Sequence, residues 1–148
     1  MNSEHNTLIA IAMPEEAELV KVDGDVIVTG VGALNVMKAL RNVDRRTKIV
    51  NIGYAGSKGF EIGDVVKVGE VKLYHPEVEY EEETFKLDGD VACYTSCDFV
   101  TKTDIKTPCV FDMELAFILA MGFKNVVAYK VVSDCLDINQ FEKTLAKV

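Results

Sequence analysis

The stretch "NVVAYKVVSDCLD", Asn125 to Asp137, decides how the rest of the chain is read. Val126 to Val132 reads as a strand buried on both faces, and it stops on Ser133 and Asp134, with a further acid at Asp137. An apolar run bounded by polar residues is expected of a strand in a covered, parallel sheet. Ligands in such sheets sit beyond the carboxyl ends of the strands. An acid there is either a helix cap or a working group, and the remaining sequence has to decide.

Working outward, "TLIAIAM" (Thr7 to Met13) reads as a buried strand, and Pro14 opens a helix, "PEEAELV", as proline does at a first helical position. "DVIVTGVG" supplies a strand, Asp25 to Thr29, that ends in Gly30 and Gly32. "ALNVMKALRNV" follows as a helix with Leu34, Met37 and Leu40 on one face. "KIVNIGYAG" is a third strand ending in glycines. Strand, helix, strand, helix, strand means βαβ units and a parallel sheet. "DVVKVGEVKLYH" and "VEYEEETFKL" alternate and carry more charge, so they read as exposed or antiparallel strands. "VACYTSCDFV" (Val91 to Val100) is another strand reaching a polar end. "DMELAFILAMGF" is a helix closed by Gly122, and "INQFEKTLAKV" a last helix with Ile138, Phe141 and Leu145 on one face. No repeat or linker interrupts the pattern, so residues 1–148 are read as a single domain.

The chain has 148 residues, is 49% hydrophobic and carries a formal charge of −8. That charge argues against nucleic acid or an anionic membrane surface as partner, since both select basic patches. A small molecule or another protein is the expected partner. Cys93, Cys97, Cys109 and Cys135 form no CxxC pair, and the only histidines are His5 and His75, so no metal site is expected. "MNSEHNTLIAIAMPEE" lacks the basic start of a signal peptide, and no segment is apolar enough to span a bilayer. Reduced thiols in a cytoplasmic protein are the expectation.

Just past the strand ends lie Met13, Glu15 and Glu16; Gly30 to Gly32; Tyr54, Ala55 and Gly56; Thr95, Ser96 and Phe99; then Ser133 and Asp134. A parallel sheet gathers such ends at one edge, where acids, tight turns and an aromatic suit a sugar-like ligand carrying a ring. Each has a plainer explanation. Glu15 and Glu16, like Asp112 and Glu114, sit where a helix N-terminus favours acids. Asp134 could cap the last helix. Phe99 could be core. "GVGALN" lacks the third glycine of a dinucleotide fingerprint, so a tight turn explains it better.

Taken in order, these segments resemble the superfamily of purine nucleoside phosphorylases and methylthioadenosine/adenosylhomocysteine nucleosidases. "IAIAMPEEAELV" resembles their opening strand and "AMEEE" helix start. "VTGVGALNVMKAL" resembles "SGIGKVAAA", and "IVNIGYAGSKGFEIGDVVKVGEV" resembles "INTGSAGG…VGDIVV". "TSCDFV", "FDMELAFILA" and "KVVSDCLD" resemble "SGDAFI", "VEMEATAIA" and "RAISDVAD". The resemblance implies a three-layer α/β/α fold with a central mixed, largely parallel twisted sheet. It implies cleavage of the N-ribosidic bond of a purine nucleoside, by water in the nucleosidases and by phosphate in the phosphorylases, with no cofactor. It also implies assembly as a homo-oligomer, a dimer or larger. Position by position, Glu16 matches the acid that activates water, Glu114 the acid on the ribose 2′-hydroxyl and Asp134 the acid that protonates N7 of the leaving base. Ser133 matches the group orienting that acid, Met113 the residue packed on the sugar and Phe99 the aromatic stacked on the base. Val100 matches the position whose backbone reads the base edge. Met13, Tyr54, Ala55 and Gly56 complete the substrate-binding set.

The chain also departs from the family pattern. It is shorter than typical members. Asp23-Gly24-Asp25 replaces a hairpin before "VIVTG", and a helix before "TSCDFV" is missing. Tyr54 stands where the family has serine. Asn51 occupies the stretch in which the phosphorylases place a phosphate-binding arginine, which favours hydrolysis, since a dianion needs such a partner. Asp98 falls one place nearer to Phe99 than the family acid does. The alternatives are a phosphate-dependent phosphorylase, a trimmed member that binds nucleoside without catalysis, and an unrelated flavodoxin-like binding module.

Overall fold

The computed structural model describes residues 6–74 and 83–147. His5, His75 and the first half of "VEYEEETFKL" lie outside them. The described residues form a mixed α/β fold around an eight-stranded sheet. Its strands are β1 (Thr7–Ile11), β2 (Asp25–Val28), β3 (Lys48–Lys58), β4 (Val65–Leu73), β5 (Phe85–Lys86), β6 (Val91–Thr95), β7 (Cys109–Asp112) and β8 (Val126–Asp134). Most pairings are parallel, including β1 with β2 and β3, β3 with β8, and β6 with β4 and β7. The pairs β3–β7, β4–β5 and β4–β8 are antiparallel. β8 bonds to β3 on one side and β4 on the other, so β3, β8, β4, β6 and β7 form a closed, barrel-like circuit.

The helices are short. α1 (Ala33–Leu40) has eight residues, α2 (Leu115–Ala120) six and α3 (Ile138–Leu145) eight. Isolated helices of such length are marginal in water, so packing must hold them. Val36 and Leu40 of α1 and Leu115 and Ile118 of α2 are buried in one core with Ala10, Ile49, Val110, Ala128 and Val132 of the sheet. Each fully buried aliphatic side chain contributes roughly 1.5–3 kcal/mol. Side chains alternate along a strand, so Ile9 and Ile11 lie on the opposite face of β1, in a smaller core with Val50, Ile52 and the residues Leu19 and Val20.

Several elements differ from their sequence reading. The buried stripe of α1 runs through Val36 and Leu40, while Leu34 is 67% and Met37 47% exposed. The helix is apolar on more than one side, and the i, i+4 pair won the core. Pro14–Leu19 is a 3-10 helix rather than an α-helix. β3 runs straight through "GYAG" to Lys58 instead of ending there. β6 stops at Thr95, well short of Val100. "CVFD" is a buried strand, β7, so Asp112 ends a strand and does not open the helix as the sequence reading had it. β8 is buried at Val126, Ala128, Lys130 and Val132 but only partly at Val127, Tyr129 and Val131, so one face is covered rather than both. α3 buries none of its residues fully.

Candidate active site

The strand ends converge on a cavity of about 140 Å³. Met13 and Glu16 reach it from the 3-10 helix and its cap, and Tyr54, Ala55 and Gly56 from β3. Phe99 and Val100 come from the segment after β6, Met113 and Glu114 from the turn into α2, and Ser133 and Asp134 from the end of β8. All eleven residues that the resemblance assigns to the site line this one hollow, whereas Gly30, Gly32, Thr95 and Ser96 from the strand ends do not. Glu15 is exposed and not part of it.

Glu16 is 3% exposed. Its Oε1 accepts hydrogen bonds from the backbone N–H of Ala12 (2.8 Å) and Met13 (3.0 Å), and its Oε2 from that of Tyr54 (2.8 Å). Turning the side chain back onto its own N-terminus is what tightens this helix. The space comes from Gly53, where a Cβ would lie 2.8 Å from Oε2. Burial pushes the Glu16 carboxyl up; the three N–H groups and the charge of Lys130 pull against it.

Asp134 is fully buried. Its Oδ1 accepts from the Ser133 hydroxyl at 2.7 Å and its Oδ2 from the Leu136 N–H at 3.0 Å. Leu136 itself takes a left-handed conformation, φ 67°. The acid does not cap α3; Asp137 does, accepting from Asn139 N–H at 2.8 Å. The β3–β8 register shifts at this point, Ala55 facing Val132 and Gly56 facing Asp134. Ser133 is the extra residue of a β-bulge, a device that re-aims a side chain. Gly56 makes the re-aiming possible, since a Cβ there would stand 2.9 Å from Asp134 Oδ2. Burial raises the Asp134 carboxyl above its usual range, and the Ser133 and Leu136 contacts only partly offset this.

Glu114 is 8% exposed, and its Oε2 accepts from Gly32 N–H at 2.9 Å. Burial, then the neighbouring Asp112 charge, push its carboxyl up to about 7 against the opposing pull of Lys130. Behind this wall lies a layer that sequence reasoning missed. Lys130 Nζ sits 3.0 Å from Asp112 Oδ2, with both side chains almost wholly buried. Asp112 also accepts from Thr95 Oγ1 at 2.6 Å, Cys93 Sγ at 3.4 Å and the Leu115 N–H at 2.8 Å. Burial works against the Asp112 charge, but Lys130 and these donors more than offset it and hold its carboxyl below the usual range. Phe141, read only as a face of the last helix, also lines the cavity and meets Phe99 with ring centroids 5.6 Å apart. The single charge inside the apolar run of β8 was the one available signal for Lys130. Among the described residues, no group of three His, Cys, Asp or Glu side chains is placed to hold a metal ion, and no helix is long and apolar enough to cross a membrane.

No protein-family profile and no curated protein sequence matches the chain. Solved structures do. S-adenosylhomocysteine nucleosidase from Streptococcus pyogenes, in complex with 5-methylthiotubericidin, is 19% identical with a TM-score of 0.77, over 100% of this chain and 92% of that one. A variant of the MTAN from Chlamydia trachomatis with one aspartate changed to asparagine, bound to MTA, is 17% identical with a TM-score of 0.78, over 95% and 89%. The 5′-methylthioadenosine/S-adenosylhomocysteine nucleosidase from Neisseria meningitidis, in complex with methylthio-immucillin-A, is 20% identical with a TM-score of 0.73, over 95% and 92%. The chain described here has the fold of the 5′-methylthioadenosine/S-adenosylhomocysteine nucleosidases.

Proposed function

We propose that the protein hydrolyses the N-ribosidic bond of a purine nucleoside of the methylthioadenosine or adenosylhomocysteine kind. The observation that carries this reading is the meeting of three buried carboxylates, Glu16, Glu114 and Asp134, around one cavity. Cleavage passes through an oxocarbenium-like sugar, the problem glycosidases solve with carboxylates. Ionised Glu114, on the ribose 2′-hydroxyl, faces that developing positive charge and stabilises it. Glu16, pinned by three backbone N–H groups, takes a proton from water. Asp134 protonates N7 of the departing base. A carboxyl raised by burial suits this task, because an ordinary aspartic acid has lost its proton at neutral pH. Ser133 orients the acid, Phe99 stacks on the base, Val100 reads its edge through the backbone, and Met113 packs on the sugar. The cavity is smaller than the roughly 300–1,000 Å³ of typical small-molecule sites, so a whole nucleoside fills it and extends past its mouth.

Water is favoured over phosphate as the attacking group. Asn51 is buried and its Nδ2 donates to the Ala10 carbonyl at 3.1 Å, while Lys130 is paired behind the wall and does not line the cavity. No arginine lines it either. A dianion would find no guanidinium fork there. Self-association as a dimer or larger belongs to the same reading, and the exposed Val26, Val28, Leu34 and Met37 support it; sedimentation velocity tests it.

The deciding assay incubates the protein with adenosine, inosine, methylthioadenosine and adenosylhomocysteine, with and without phosphate, and measures free purine. Release without phosphate, lost in Asp134→Asn, is the expected result. Release only with phosphate assigns a phosphorylase. No free base under any condition overturns both enzyme readings and leaves nucleoside binding.

A further inference from the structure

Lys130 is 1% exposed in the middle of an otherwise apolar strand. A buried ion pair is weak support for stability, because desolvating two charges costs several kcal/mol per ion and apolar replacements often do as well. The pair's surroundings say more. Lys130 faces Gly53 in the β3–β8 register, and Gly53 is the residue whose missing Cβ admits the Glu16 carboxylate. Its ion-pair partner Asp112 stands two residues before Glu114 and is saturated by Thr95, Cys93 and Leu115. The titratable groups facing Lys130 are Asp112 from β7, Cys93 from β6, Glu114 at the start of α2 and Glu16 from the 3-10 helix. Glu114 is met besides by the Gly32 N–H before α1. One ammonium is thus shared by three buried carboxyls, Asp112, Glu114 and Glu16, all of which line the cavity.

We propose that Lys130, anchored by Asp112, is a positioning residue: a buried counter-charge common to Glu114 and Glu16 that favours the ionised form of both without touching substrate. It lies outside the cavity lining, so it acts only through its neighbours. Asp112 has the opposite influence on Glu114, as a like charge beside it, while holding the lysine in place. The lysine stands where "RAISDVAD" has arginine, and an ammonium anchored at one carboxylate is a point charge rather than a fork. The inference rests on the reading of Glu114 and Glu16 as working groups, and its test does not depend on turnover.

The test is a ¹³C titration of the side-chain carboxyls in ligand-free protein, run on the wild type and on Lys130→Met, Lys130→Arg and Asp112→Asn. In Lys130→Met the Glu114 and Glu16 midpoints move up by about one pH unit or more, the effect of removing a nearby opposite charge. Lys130→Arg returns them toward wild type. In Asp112→Asn the Glu114 midpoint moves down. Active protein shows the same order in the acid limb of its kcat/KM profile. Unmoved Glu114 and Glu16 midpoints in folded Lys130→Met overturn the proposal. If that variant fails to fold, an unmoved or rising Glu114 midpoint in Asp112→Asn overturns it. Midpoints that move as described in a protein releasing no base support the counter-charge role and refute the hydrolytic reading alone.

Discussion

Gly53→Ala adds one methyl group and isolates the role of Glu16. Gly53 is not among the residues with positive φ, so alanine fits the backbone and the effect is purely steric. The new Cβ would stand 2.8 Å from Glu16 Oε2, against 3.4 Å or more for ordinary contact. The carboxylate must retreat by about 0.6 Å, and the atom that moves is the one held by Tyr54 N–H at 2.8 Å. It cannot swing freely, because Oε1 is fixed by Ala12 and Met13. A hydrogen bond to a charged group contributes about 1.5–3 kcal/mol. At 1.4 kcal/mol per factor of ten, weakening it costs roughly ten- to a hundredfold in kcat. KM should change little, since the base and ribose contacts lie elsewhere. Initial rates of purine release from methylthioadenosine, measured beside a thermal melt, check both. A Gly53→Ala enzyme with kcat within twofold of wild type refutes the placement of Glu16 as the water-activating base.

Asp134→Asn should lower kcat by roughly 10²–10⁴, the range for a lost general acid, and leave binding of methylthioadenosine by calorimetry nearly intact; undiminished turnover excludes the role. Phe99→Ala should raise KM about tenfold through loss of an aromatic stack of about 1–1.5 kcal/mol, with kcat within a few-fold; equal losses in both would assign Phe99 to the core. The Glu114 carboxyl, at about 7 against an ordinary 4.5, binds its proton more tightly folded than unfolded. Its contribution to stability is full below pH 4.5 and is lost as pH rises through about 7. Urea midpoints should therefore rise in Glu114→Gln relative to wild type at pH 8 but not at pH 4, and equal differences at both would contradict the burial of that charge.

The acids at the strand ends were legible because the βαβ order puts those ends on one edge, whatever the details of each strand. That reading reached Glu16 and Asp134; Glu114 was assigned only through the family resemblance, because it follows β7, which runs antiparallel to β3 and lies outside the βαβ pattern. Other features were hidden for physical reasons. "CVFD" is too short to signal a strand, and its acid looked like a helix-start residue. Asp112 does accept from the Leu115 N–H, so the helix-start reading was partly right, but its other oxygen contacts belong to a buried network that no local pattern announces. Lys130 was lost inside an apolar run, since pattern reading averages over single charges. The stripe of α1 was misassigned because Leu34 and Met37 match helical spacing as well as Val36 does, and only the position of the sheet chooses between them.

The question raised by the end of β8 has a geometric answer. β3 bonds to β1, β7 and β8 and carries both glycines that make room for acids. Without the bulge at Ser133, Ser133 itself would pair with Gly56, and Asp134 would stand opposite Ser57 instead of the glycine. A one-residue slip in a strand turns every side chain to the other face; the bulge applies such a slip to the last residues only. Val132 stays in the core, and the carboxyl of Asp134 fits over the bare α-carbon of Gly56. The site thus depends on the central strands and on the turn into α2, while β2, the strand at the sheet's edge, contributes no residue to the cavity. Val26 and Val28 of that edge strand are 48% and 45% exposed. The register of β3 and β8, on which the placement of Glu16 and Asp134 depends, is set inside the sheet and not at that edge.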